Sequence, residues 1–254
     1  MRRAILVLAL ALAACGQQQE PPPPPSDDVT IRVPPPWFIC DAINAPAIFV
    51  FNRTGETVQV AEYEKPTGAI LSRNGYVVGP EEGAAGNVFM DIYRDEGTGG
   101  EIRRSNPDVL ETPGSAYTTV FTSVELDRRN INCRWMPRTR VLGFTGRRSF
   151  VVHEDASGDL IYTAYNFVDA ANARPIELSE NGRTTTPFSV EVRDGAEAQT
   201  AEGVTYTFET QGFRYVVALN RDGTGTLDVS SNGVAMQTED LLGYQQGTAQ
   251  AQAQ

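Results

Sequence analysis

The chain has 254 residues, a formal charge of -11, 41 % hydrophobic and 21 % charged residues. That is enough apolar material for a core, which excludes wholesale disorder, and the acidic balance excludes non-specific nucleic-acid binding. One His and three Cys leave too little for a His/Cys metal centre, and no motif calls for a cofactor.

Residues 1–12 read MRRAILVLALAL. Two arginines precede an apolar run far shorter than the ~20 residues that span a bilayer, the pattern of an export signal. Leu12-Ala13-Ala14-Cys15 follows. It resembles the lipobox of bacterial lipoproteins, where a diacylglyceryl group is attached to the cysteine and the chain is cut before it. The resemblance implies a signal peptide over 1–14, lipidation at Cys15 and a protein held at the cell envelope. With Gly16 rather than Asp after the cysteine, it implies sorting to the periplasmic face of an outer membrane. Loss of Arg2 and Arg3 leaves 19 basic against 32 acidic residues. Residues 15–28 contain five consecutive prolines, 21–25, and are expected to form an extended spacer of about 3.1 Å per residue.

The folded part is expected over 29–244 and reads as strands. Short apolar or alternating runs occupy 37–40, 47–51, 57–63, 88–93, 117–126, 149–153, 160–167, 188–192, 204–208, 213–219, 226–229 and 234–238. Asn74-Gly75 predicts a hairpin turn between 69–71 and 76–78, and Asn232-Gly233 predicts another. Asp155-Ala156-Ser157-Gly158-Asp159 and Asp222-Gly223 are further turn signals. The two Asn-Gly hairpins echo each other, which raises an internal duplication as a reading to test. Helix is limited to single turns at 81–86 and 239–244. The expected fold is all-β, an antiparallel β-sandwich or barrel-like sheets in two lobes. The Gly-, Pro- and charge-rich stretch 97–114 is the expected division, and 245–254 is an expected disordered tail.

With Cys15 taken by lipid, export to an oxidising compartment makes Cys40 and Cys133 natural disulfide partners, free thiols being the alternative. A loop that long would stabilise the fold by roughly 4–5 kcal/mol on the chain-entropy estimate. It would also tie the two halves together.

The most unusual feature is charge placement. Arg128, Arg129, Arg134, Arg138, Arg140, Arg147 and Arg148 give 125–150 a local excess of positive charge in an acidic chain. Arginine suits bidentate contact with carboxylate and phosphate. Arg134, Arg138, Arg140, Arg147 and Arg148, with Trp135 to stack, are therefore candidates for binding an anionic glycan, a lipid headgroup or an envelope protein. The competing reading pairs them with acidic residues of the same domain. His153, beside Glu154 and Asp155, is the minimum for acid–base chemistry, but no G-x-S-x-G or H-E-x-x-H accompanies it. Asp155 to Asp159, and Asp91 with Asp95 and Glu96, offer oxygens of the kind Ca²⁺ takes, without the EF-hand spacing.

Phe38-Ile39-Cys40, Cys133 and Tyr206-Thr207-Phe208 loosely resemble the membrane-anchored inhibitors of c-type lysozyme. That resemblance implies an enzyme-inhibiting role on a small β-barrel. The family is much smaller, and its Ser and Lys motifs have no clear counterpart here. Lys65, the sole lysine, falls in a turn. The sequence thus favours a non-enzymatic binding or structural envelope lipoprotein. A glycan or peptide hydrolase using carboxylates alone, and a lysozyme inhibitor, are the alternatives. No catalytic residue and no metal ligand is assigned.

Overall fold

In a computed structural model the described residues are 35–65, 67–84, 87–94, 98–105, 120–136, 138–168 and 188–247. The signal, Cys15, the spacer, Asp95, Glu96 and 248–254 lie outside them. The described chain is all-β, without helix. Its first sheet is a meander of β1 (Phe38–Asp41), β2 (Ala47–Thr54), β3 (Thr57–Glu64), β4 (Ile70–Ala84), β5 (Asn87–Arg94), β6 (Thr98–Ser105), β7 (Val120–Leu126) and β8 (Arg129–Asn132). Its second sheet runs through β9 (Thr139–Phe144), β10 (Arg148–Glu154), β11 (Leu160–Asn166), β12 (Val190–Gln199), β13 (Gly203–Thr210), β14 (Phe213–Asn220), β15 (Gly225–Ser231) and β16 (Val234–Asp240). The last strand, β17 (Gly243–Gln246), returns to pair with β9.

The first sheet curls until β1 meets β8. The seam is short: an Ala42–Cys133 bridge, Ile43 N–H to Asn132 O at 2.9 Å and Arg134 N–H to Asp41 O at 2.8 Å. The Cys40–Cys133 disulfide, Cα–Cα 4.8 Å, locks it. Alternation explains the interior, since residues two apart share a face. Phe38, Cys40, Phe49, Phe51, Val58, Val60, Tyr76, Met90, Ile92, Ile102 and Val124 fill it. The second sheet is a curved half-barrel around Phe150, Val152, Tyr162, Tyr206, Phe208, Val217 and Leu227. A third apolar layer joins the two. Ile39, Ile48, Val50 and Ala61 from β1–β3 pack on Leu142, Phe144, Val151 and Tyr165 from β9–β11. Tyr63 meets Phe144 edge-on at 5.0 Å. Each side chain fully withdrawn from water here contributes about 1.5–3 kcal/mol.

Several expectations are corrected. The chain changes sheet between Asn132 and Thr139, not near 97–114; β6 lies inside that stretch and pairs with β5 and β7. Asn74-Gly75 is not a turn: β4 runs straight through it, opposite Val60 and Gln59. A turn there would strip β3 of half its partner. Asn232-Gly233 does turn, with φ of 49° and 80° and Ser231 opposite Val234, the left-handed pair a two-residue hairpin needs. The duplication reading therefore loses its hairpin echo. Among the described residues no helix forms at either expected turn: 81–84 are strand, and 239–244 run from the end of β16 through a bend at Leu241-Leu242 into β17. Gln245 and Gln246 belong to β17 rather than to a tail, and Gln245 Oε1 accepts from Ile39 N–H at 3.4 Å.

Candidate functional site

The arginine-rich stretch crosses from the first sheet to the second, and the structure disperses it. Arg128 is exposed at the β7–β8 turn. Arg129 grips Glu62 with both terminal nitrogens at 2.9 Å. Arg138 donates to the Asp155 carbonyl and Arg140 pairs with Glu154 at 2.6 Å. Arg148 bonds Glu239 at 2.8 Å and Gln237 at 3.1 Å. Arg147 is exposed and Trp135 half-buried. Arg134, only 3 % exposed, faces the seam between the sheets. Four of the seven, Arg129, Arg134, Arg140 and Arg148, are paired with carboxylates of their own fold, and Arg128 and Arg147 are exposed.

One of them, Arg134, belongs instead to a buried ionic centre that sequence reasoning missed. Asp41 ends β1, points outward from the first barrel and is wholly buried. Its Oδ1 lies 2.7 Å from Lys65 Nζ, and its Oδ2 accepts from Arg134 Nε at 2.7 Å and from Ser149 Oγ, on β10, at 2.6 Å. Lys65 Nζ also donates to the Ala42 carbonyl. The Arg134 guanidinium lies 3.4 Å over the Tyr165 ring of β11, a cation–π contact strengthened by exclusion of water. One carboxylate thus holds residues of both sheets. Burial alone would raise its pKa, but Lys65 and Arg134 outweigh burial and hold it well below the usual carboxylate range. Burial pulls Lys65 below the ordinary lysine value, with Asp41 opposing and Arg134 reinforcing. The available signals were the sole lysine of the chain and a charged residue following each paired cysteine.

Two other polar clusters cap barrel ends. In the first barrel, Asp127 Oδ2 receives the Tyr76 hydroxyl at 3.2 Å and Arg94 at 3.1 Å. Burial, then the Asp127 charge, raises the Tyr76 pKa. In the second, Thr145 Oγ1 and Arg148 converge on Glu239. Burial also pushes the Tyr206 hydroxyl up to about 12.

His153 is half-buried, its Nε2 3.3 Å from Thr163 Oγ1, and burial is the main cause lowering its pKa. Among the described residues no Ser-His-Asp array is assembled around it. Ser149 is committed to Asp41, Ser157 lies in the exposed hairpin turn, and Glu154 is taken by Arg140. Asp155 Oδ1 accepts the Ser157 and Asp159 N–H groups at 2.8 and 3.1 Å, which fixes the turn. Among the described residues no group of three His, Cys, Asp or Glu could hold a metal ion. Strand register does align Asp91, Glu101 and Glu125 across β5–β7. Burial and then these two neighbours raise the Glu101 pKa. The row occupies the outer barrel face, opposite the buried Met90, Ile92, Ile102 and Val124, with Asp91 and Glu125 exposed.

One open groove of about 540 Å³ lies at the tips of the β13–β14 and β15–β16 hairpins. Glu209, Thr210, Phe213, Arg214, Ser230 and Gly233 line it. Phe213 is 40 % exposed, and Val234 and Met236 of the neighbouring edge strand are more so. The chain matches no protein-family model, no curated protein and no solved structure.

Proposed function

We propose that the protein is an exported, lipid-anchored module of the cell envelope whose role is to bind or organise a partner rather than to transform a substrate. The observation that carries the reading is where its charges go. Arg134, Arg148, Asp41, Lys65 and Glu239 are consumed in internal pairs, and apolar side chains fill both sheets. Outer faces and hairpin tips are what such a body offers a partner. The disulfide supports export, because it leaves Cys15 as the one cysteine for lipid. The lysozyme-inhibitor reading loses support, since Lys65 is 2 % exposed and cannot reach into an enzyme's site.

The test is expression of the full chain in a bacterium with two membranes. The mature protein should begin at a diacylated Cys15 and sediment with membranes, and Cys15→Ala should release it. Sedimentation of Cys15→Ala unchanged would contradict the anchor. For the catalytic alternative, the Asp91–Glu101–Glu125 row is the place to look. Turnover of envelope glycan or peptide that Glu101→Gln abolishes would replace the binding reading.

A further inference from the structure

Cys40 immediately precedes Asp41, and Cys133 immediately precedes Arg134. The disulfide that closes the first barrel therefore also fixes the separation of the two charged residues that face the second sheet. The rest of the closure is short. The β1–β8 seam has one bridge, two flanking backbone hydrogen bonds and the Asn44 side chain, which donates to Asn130 O at 2.8 Å and accepts from Asn132 N–H at 2.9 Å, whereas every other neighbouring pair in that sheet runs as a ladder. Side chains alternate, so Cys40 and Asp41 point to opposite faces of β1. The sulfur bridge lies inside the barrel and the carboxylate lies in the layer between the sheets.

The charges make that register matter. Arg134 and Lys65 are buried cations, and among the described residues Asp41 is the anion paired with both. Displacing Arg134 from Asp41 leaves charge buried without its partner, which is far costlier than never burying it. The low-energy response is to let water into the layer. Ser149 and Tyr165, which touch the cluster from the second sheet, would then lose their partners.

We infer that the Cys40–Cys133 bond is a redox-sensitive latch for docking the two sheets: with the bond formed, Asp41 and Arg134 are in register and the second sheet closes on them; with it open, the layer between the sheets opens while each sheet keeps its strands. A disulfide oxidant takes two electrons and two protons from the Cys40 and Cys133 thiols as the S–S bond forms, itself becoming a dithiol, and a dithiol reductant reverses the exchange. The inference does not depend on the lipid anchor. It explains how a chain threaded through a membrane unoxidised would complete its tertiary structure only on reaching an oxidising compartment.

Lys65 is a built-in reporter. It is the chain's sole lysine and lies in the cluster at 2 % exposure, so its reaction with an amine-acylating reagent reads opening of the layer. The experiment compares the oxidised full chain with the Cys40→Ser/Cys133→Ser double variant and with the reduced wild type. Peptide mass spectrometry follows acylation at Lys65, and amide exchange follows β13–β15 in the same samples. Opening the latch should speed Lys65 acylation about tenfold or more while β13–β15 keep their protection, as local opening below the global unfolding free energy requires. Asp41→Asn with the disulfide intact should speed it too. An unchanged acylation rate without the disulfide would overturn the latch. So would acceleration only alongside loss of β13–β15 protection, because that is global unfolding.

Discussion

Asp41 and Glu62 each hold an arginine in close hydrogen bonds, and their surroundings could hardly differ more. Arg134, the partner of Asp41, is buried between sheets beneath Tyr165, whereas Arg129, the partner of Glu62, is 53 % exposed. The Glu62 pair has the better fork, two parallel bonds at 2.9 Å. It remains the weaker contributor, because water reaches the Arg129 end, though Glu62 is only 13 % exposed, and screens the pair. The Asp41 pair shares its carboxylate with Lys65 and Ser149 and has no water to fall back on. Geometry alone does not rank ion pairs; the cost of leaving one partner behind does.

The largest effect should come from Asp41→Asn. It leaves Lys65 and Arg134 buried without an anion, and the loss should be about 3–5 kcal/mol in a urea titration. A loss under 1 kcal/mol would put the cluster in the same class as Arg129–Glu62 and dissolve the contrast. Raising the pH should soften this variant's defect. The folded pKa of Lys65 lies below its unfolded value, so between the two the unfolded chain binds more protons and stability rises with pH.

Acid gives a second, opposite dependence. Unfolded Asp41 takes up its proton near its ordinary pKa of about 4, whereas the folded carboxylate resists because its pKa is depressed. The stability this contributes is present above that value and is lost as pH falls below it. Thermal melts of wild type should therefore drop more steeply between pH 4 and 2 than those of Asp41→Asn; parallel curves would remove Asp41 from the account.

Arg129→Ala should cost under about 1 kcal/mol, and less in high salt. The smallest expected change is a gain. Arg128 holds φ at 69° in the two-residue turn after Asp127, where Asp-Gly is the favoured sequence. Arg128→Gly should raise stability by about 0.5 kcal/mol, a balance of relieved left-handed strain against glycine's unfolded-state freedom. A lower melting temperature would mean the Arg128 side chain makes contacts that outweigh that strain.

Most strands were legible because alternation was clean, as in 57–63 and 204–208. β6 was hidden. Its inner face carries one large apolar side chain, Ile102, and its glycines sit where backbones crowd: a Cβ at Gly100 would come within 1.9 Å of the Glu125 carbonyl oxygen. What reads as loop composition is a strand selected for closeness. Asn74-Gly75 and Asn232-Gly233 present the same local signal with opposite outcomes, decided by whether a neighbouring strand needs the chain to continue. The Cys40–Cys133 pairing was legible from counting cysteines. The Asp41 centre was not, since its members are brought together by the closure of one sheet and the docking of another, and neither event leaves a local pattern.

A pair of double-mutant cycles tests the central contrast most directly. One cycle combines Asp41→Asn with Arg134→Met and the other Glu62→Gln with Arg129→Met, all followed by urea unfolding of the oxidised full chain. The predicted coupling is above about 2 kcal/mol for the buried pair and below about 0.5 kcal/mol for the exposed one. Equal couplings would contradict the account that the buried carboxylate, rather than apolar contact alone, holds the two sheets together.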